Sequence, residues 1–237
     1  MQRYFAKINN NKIILDDGDV HHLLHVMRAR ISDEIEVVAD KKLYVGIIKK
    51  INPLEIVVNY EIPQDNELPQ SVTLFFALAK GDKIDFVVQK ATELGASRIV
   101  LVKSERCITK FEEKDLERKL DRFRKIAKEA SEQSHRLSIP EIVGVVDINN
   151  IPSNLLENIN LIAYEKEAGK TDNFMSSLKE NKSISILIGP EGGFSTQEVE
   201  LCQRQYGFVP VSLGKRILRT ETAAVYALSV IGFFLER

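Results

Sequence analysis

The chain has 237 residues, 44% of them hydrophobic and 28% charged, with a formal net charge of −1. That balance describes a folded protein with a substantial core and excludes a disordered or collagen-like chain. A charge so close to zero also excludes bulk electrostatic attraction to nucleic acid, so any such contact must come from local basic patches.

In chain order, residues 3–8, 34–39, 43–50 and 54–60 read as short strands separated by turns. One helical stretch interrupts them. Asp19 is placed to cap it, and Val20, Leu23, Leu24 and Met27 give its apolar face. Residues 62–70 hold Pro63, Asp65, Asn66, Glu67 and Pro69, a linker composition that puts a domain boundary near 70. The reading is a small β-rich domain over 1–70 and a second domain over 71–237. In the second, residues 72–79, 98–102, 141–146, 159–164, 184–188 and 208–213 are continuous apolar runs, as strands buried on both faces of a parallel sheet require. Helical patterns lie between most of them. Residues 84–94 end at Gly95. Leu116, Leu120, Phe123, Ala127 and Ala130 make one apolar face, and Ser195 with Glu198 forms a capping box. This is an α/β domain with at least five parallel strands. The last helix, 222–235, is apolar on nearly every side, with only a thin stripe of Tyr226, Ser229 and Gly232. Burial of such a helix predicts a twofold homodimer.

No apolar run reaches the roughly 20 residues of a membrane span, and residues 1–10 carry no apolar signal-peptide core, so the expectation is a cytoplasmic protein without a membrane partner. Cys107 and Cys202 lie far apart and read as free thiols. His21, His22 and His25 lack a cysteine or carboxylate at ligand spacing, so no metal site is expected.

Ligands of open parallel sheets gather at the carboxyl ends of strands, and three such ends are unusual here. One is followed by Glu165-Lys166-Glu167. A second opens into Gly189-Pro190-Glu191-Gly192-Gly193-Phe194, where three glycines let backbone approach a ligand closely. A third continues into residues 214–222, where Lys215, Arg216 and Arg219 crowd the start of an apolar helix, beside Glu221. Cations at a helix N-terminus are electrostatically unfavourable and point to an anionic partner. The glycine turn has neither a P-loop ending nor the GxGxxG spacing, which counts against an NTPase or an ordinary dinucleotide site.

The motifs GPEGGFS (189–195) and SLGKRILRTETA (212–223), in this order, closely resemble the RsmE family of 16S rRNA uridine methyltransferases, of the SPOUT class. RYF (3–5), HHLLHVMR (21–28), KATELGASRI (90–99) and EASEQSHRLSIP (129–140) extend the resemblance over nearly the whole chain. It implies a C-terminal SPOUT domain with a parallel sheet and a deep trefoil knot, preceded by a small PUA-like β-barrel domain. It further implies S-adenosylmethionine in a cleft made by the three strand ends. Ile188 and the loop Gly189, Pro190, Glu191, Gly192, Gly193 and Phe194 would hold its amino-acid and ribose portion through backbone groups. Leu213, Gly214, Ile217, Leu218 and Thr220 would surround the adenine, with Ala163, Tyr164 and Glu165 as a further wall. The implied reaction methylates N3 of a uridine in 16S rRNA or the assembled small subunit. Arg219 is the candidate to stabilise negative charge on the uracil. Glu221 or Glu191 would accept the N3 proton or orient Arg219.

The segment 103–136 is net basic. On composition its charges read as a solvated helix, while the resemblance turns Arg124, Gln133 and Arg136, with Arg106, toward RNA phosphates. The first domain is slightly acidic, so its RNA candidates, Arg3, His22, Arg28 and Arg30, must share one edge. Lys215 and Arg216 are the candidates on the second domain. Two other readings stand beside this one: a knotted methyltransferase acting on another base or a ribose hydroxyl, and a non-catalytic ribosome-assembly factor. The intact glycine loop and the Arg219-Thr220-Glu221 segment weigh against the second.

Overall fold

The computed structural model describes residues 2–109, 111–165 and 172–237. They form two compact units, 1–67 with 131–138, and 68–130 with 139–237. The segment 131–138 therefore packs with the first unit, although the sequence pattern grouped it with the second.

The first unit is a six-stranded mixed sheet in the order β1-β4-β5-β6-β3-β2. Its strands are β1 (Arg3–Phe5), β2 (Lys7–Asn9), β3 (Lys12–Ile14), β4 (Glu34–Ala39), β5 (Lys42–Ile51) and β6 (Leu54–Ile62). The two outermost strands, β1 and β2, are one extended run broken only at Ala6, whose N–H still donates to the Val38 carbonyl at 3.0 Å. One segment thus pairs with both ends of the sheet, parallel to β4 and antiparallel to β3, and closes it into a barrel. Tyr4, Ile13, Leu23, Ile35, Val37, Ile48 and Ile56 fill the interior. The helix α1 (Asp17–His21) is capped by Asp16 rather than Asp19; the Asp19 N–H donates to Asp16 Oδ1 at 2.8 Å. It then loosens into a π-type turn over His22–Val26.

Two arginines assigned to RNA on sequence grounds are interior ties of this unit, each only 3% exposed. Arg3 donates to Glu36 at 2.8 Å, to the Gln64 carbonyl oxygen at 3.0 Å and to the backbone carbonyl of His135 at 2.5 Å. Arg136 donates to both carboxylate oxygens of Glu67, the shortest contact being 2.6 Å. The Leu137 and Ser138 amides donate to the same carboxylate. Guanidinium groups engaged this way have no face left for a phosphate. The polar stretch around Pro63 and Glu67 is accordingly a tethered strap, not a loose linker.

The second unit carries six strands, all parallel, in the order β12-β10-β11-β7-β8-β9. They are β7 (Val72–Ala77), β8 (Arg98–Lys103), β9 (Glu141–Asp147), β10 (Ile159–Ala163), β11 (Ile184–Ile188) and β12 (Val209–Val211). The apolar runs are explained by burial on both faces. Leu74, Phe76, Ile99, Leu101, Ile184, Ile186 and Ile188 pack with α2 (Lys83–Glu93), α3 (Glu113–Gln133) and α6 (Thr220–Leu235). The alternate residues Phe75, Val100, Val102, Ile162 and Leu187 pack against α5 (Thr196–Tyr206) and the 3-10 turn Ser153–Leu155. The short helix α4 (Asp172–Ser177) has no counterpart in the sequence reading. In α6, Gly232 is buried, and a Cβ there would stand 3.7 Å from the Leu94 carbonyl, so the open strip is Tyr226, Ser229 and Phe233, the last 74% exposed.

The Glu67 site gives a stability prediction. Burial pushes its carboxyl up, but the Arg136 guanidinium and the Leu137 amide outweigh this and hold it below the usual carboxylate range. A depressed folded value contributes stability above the unfolded pKa and loses it as pH falls through the folded one. Arg136→Ala should therefore lower stability by about 2 kcal/mol at neutral pH, modest for a broken buried pair because Glu67 keeps some solvent. Urea midpoints at neutral pH and at about pH 3, below the ordinary glutamate pKa, should show the difference shrinking on acidification.

Candidate active site

The strand order sets three neighbouring strands, β12, β10 and β11, side by side and parallel, so their carboxyl ends and the loops that follow lie together. These loops enclose a cleft of about 470 Å³ within the second unit. The glycine loop after β11 is fixed at both ends. Before it stands a fully buried strand. After it, Phe194 is 1% exposed in the core on the α5 side, and Ser195 and Glu198 close a reciprocal capping box on α5. Between them the Gly193 N–H donates to the Pro190 carbonyl at 2.9 Å, a tight turn that gives Gly193 a φ of 64°. A Cβ at Gly193 would stand 3.1 Å from the Glu165 carboxylate across the cleft. Residue 193 thus needs glycine twice, for its left-handed backbone and for its clearance.

The loop after β12 is pinned by Thr220, whose buried hydroxyl donates to the Gly189 carbonyl at 2.6 Å. Its tip projects: Ile217 is 88% exposed while lining the cleft. Ala163, Tyr164, Glu165, Ile188, Gly189, Pro190, Glu191, Gly192, Gly193, Leu213, Gly214, Ile217, Leu218 and Thr220 all line this one cleft, as do Arg216 and Arg219. Arg219 occupies the cap position of α6 without a side-chain cap, is exposed, and pairs with no carboxylate among the described residues.

Glu191 and Glu221 turn instead to Lys83, the first residue of α2. Lys83 Nζ lies 2.9 Å from Glu191 Oε1 and 3.4 Å from Glu221 Oε2. Glu221 Oε2 is buried and makes no hydrogen bond among the described residues, so its contact with Lys83 is an ion pair without hydrogen-bond geometry. The Glu191 hydrogen bond raises the Lys83 pKa, and Glu221 adds to it. Burial pushes the Glu191 carboxyl up, yet the Lys83 ammonium and the Lys80 N–H bring it below its ordinary value. Sequence reasoning passed over Lys83. Its signal was a cation opening a helix, the anomaly that marked Lys215, Arg216 and Arg219. Phe194, the end of the glycine loop, also lines the cleft, as do Ser212 and Ala223, which the sequence reading did not single out.

The remaining candidates lie elsewhere. Arg106 reaches over the glycine loop and donates to the Gly192 carbonyl at 2.9 Å. Lys215 is exposed at the tip beside Arg216. Arg124 is half-exposed on α3 and paired with Asp121 and Glu117 of the same helix; Gln133 is exposed at its end. His22 meets the Tyr4 hydroxyl through Nδ1 at 3.0 Å, while Arg28 and Arg30 are exposed after the π-type turn. Lys166 and Glu167 lie outside the described residues. Among the described residues no group of three or more metal-ligating side chains comes together, and no helix is long and apolar enough to cross a membrane.

The family model of an RNA methyltransferase domain matches residues 66–232, and that of an RNA methyltransferase PUA domain matches residues 15–59. The ribosomal RNA small subunit methyltransferase E of Bacillus subtilis is 34% identical over 252 residues, covering 100% of this chain and 98% of that protein. The protein of the same name from Aquifex aeolicus is 33% identical over 238 residues, covering 96% of this chain and 97% of the other. The crystal structure of ribosomal RNA small subunit methyltransferase E from Neisseria gonorrhoeae, bound to S-adenosyl methionine, is 32% identical. It aligns with a TM-score of 0.84 over 99% of this chain and 98% of that one. With a domain match across most of its length and relatives above 30% identity that span it, the chain belongs to the RsmE family of small-subunit ribosomal RNA methyltransferases.

Proposed function

We propose that this chain uses S-adenosylmethionine to methylate N3 of a uridine in 16S rRNA, free or in the assembled small subunit, and that it works as a homodimer in the cytoplasm. The cleft at the ends of β12, β10 and β11 is the observation that carries this reading. Its volume of about 470 Å³ suits a ligand of cofactor size. Its floor is glycine backbone, and Leu213, Ile217 and Leu218 offer apolar surface for a flat ring. The residues fit the cofactor, which when bound supplies an electrophilic methyl group on a positively charged sulfur.

The chain's own part is to hold and orient. Backbone at Gly189 to Gly193 approaches the cofactor, and the tie from Thr220 to Gly189 keeps the two loops at a fixed spacing. Arg219, unpaired among the described residues, is placed to stabilise negative charge as the uracil loses its N3 proton. Glu191, anionic at neutral pH and held below its ordinary pKa, is a weak base, which leaves the proton to Glu221 or to water. Arg106, Lys215 and Arg216 border the cleft or its mouth and suit RNA phosphates. Arg28, Arg30, Arg124, Gln133 and His22 remain candidates for more distant contacts.

Three measurements test this reading. Calorimetry with S-adenosylmethionine on folded Gly193→Val should show affinity weakened by about tenfold or more, roughly 1.4 kcal/mol; unchanged affinity removes the glycine loop from the cofactor site. Arg219→Ala should lower single-turnover methylation of 16S rRNA by about a hundredfold with cofactor affinity little changed, and lysine there should restore only part, lacking the planar fork. Mapping the product must place the methyl group on uridine N3. The exposed strip of Tyr226 and Phe233 on α6 supports the dimer. Light scattering should give twice the chain mass, and Phe233→Asp should give monomers with reduced activity; a wild-type monomer at micromolar concentration rejects it.

A further inference from the structure

Lys83 is the first residue of an eleven-residue helix, where the helix dipole disfavours a cation. The preceding Asp82 makes no side-chain cap, and Asp85, the acid of the first turn, is engaged by Arg122 of α3. The compensation comes from afar in sequence. Glu191, in the loop after β11, meets it at 2.9 Å, and Glu221, in the first turn of α6, at 3.4 Å. The side chains keep between 20% and 33% of their exposure, so solvent screens the cluster only in part. One ammonium therefore joins the segments that follow β7 and β11 to the start of α6. The Lys80 N–H, 3.4 Å from Glu191 Oε1, strengthens the same joint.

The arrangement has a consequence for Arg219. It lies two residues before Glu221 and lines the cleft together with Glu191. A guanidinium pairs strongly with a carboxylate that comes within its reach. Here neither carboxylate does so; both address Lys83. The other charged side chains that line the cleft are Glu165 after β10 and Arg216 before α6, and neither forms an ion pair with Arg219, Glu191 or Glu221 among the described residues. We infer that Lys83 is a positioning residue of the cleft: by holding the Glu191 and Glu221 carboxylates it keeps them off Arg219, whose guanidinium stays available to an anionic substrate. This assignment rests on the methyltransferase reading for its effect on turnover, but not for its electrostatics. Without Lys83, two like charges would face each other and raise each other's proton affinity, or one would swing to Arg219.

The test separates the two. In ligand-free protein, carbon-13 carboxyl NMR should show Glu191 titrating higher in Lys83→Met than in wild type, and Lys83→Arg should restore the wild-type value. An unmoved Glu191 titration in Lys83→Met overturns the assignment, whatever the protein catalyses. In single-turnover methylation, Lys83→Met should cut the rate by about thirtyfold, with S-adenosylmethionine affinity within about threefold of wild type. The same substitution in a Glu191→Gln background should cost at least about fivefold less, because one of the carboxylates that would seize Arg219 is gone. Equal cost in both backgrounds, in variants with wild-type melting temperature, shows a merely structural lysine and rejects the inference. A wild-type protein that binds no S-adenosylmethionine rejects the functional reading alone and leaves the NMR result to judge Lys83.

Discussion

The hydrogen bond from the Thr220 hydroxyl to the Gly189 carbonyl joins loops that the chain reaches 31 residues apart. It is short, buried at its donor and placed where two parallel strands release their chains. Without a tie of this kind, the glycine turn and the start of α6 would be separate surface loops, each free to fluctuate, and a cleft between them would have no fixed width. The donor is the first residue of α6, so the bond transmits the rigidity of a packed helix to a turn built largely of glycine. The turn needs that support. Glycine gives it close backbone approach at the cost of conformational freedom, and the buried Phe194 and the α5 capping box hold only its far end.

Electrostatics in the cleft follow from the same convergence. Three segments bring their charges to one place, and the fold sorts them into a closed set and an open one. Lys83, Glu191 and Glu221 are drawn to one another, while Arg219 and Arg216 are left lining the cavity. A net charge near zero over the whole chain is compatible with this arrangement, because Glu191 and Glu221 are held at Lys83 and Glu165 is left as the acid facing Arg216 and Arg219 across the lining. Recognition of an anion therefore depends on which basic groups are unpaired, not on how many are present.

Much of this was legible in the residues. The parallel sheet announced itself because strands such as β11, buried on both faces, admit almost no polar residue. The capping box at Ser195 and Glu198 was readable because its chemistry is confined to four neighbouring positions. The cleft was legible because glycines and helix-opening cations cluster in two short motifs. What escaped notice depends on partners distant in sequence. Arg3 and Arg136 look like any surface arginines until Glu36, Gln64, His135 and Glu67 are brought around them. Lys83 carries no mark of its own beyond its position, since its partners lie more than a hundred residues away. The cap at Asp16 was missed by preferring Asp19 in a segment with three aspartates. The open strip of α6 shifted to Phe233 because Gly232 packs toward the Leu94 carbonyl, a contact no periodicity reveals.

The placement of residues 131–138 with the first unit has a consequence for the order in which the protein can be made. Chains emerge from the ribosome from their N-terminal end, and domains ordinarily fold as they are completed. Here the barrel strands are all out by Ile62, yet Arg3 and Glu67 must wait for His135, Arg136, Leu137 and Ser138. Until then Arg3 lacks its carbonyl partner and Glu67 its guanidinium. The intervening stretch contains two strands and two helices of the other unit. Vectorial synthesis thus delivers the first unit's strands early and its last fastening late, after the first strands of the second unit have already emerged.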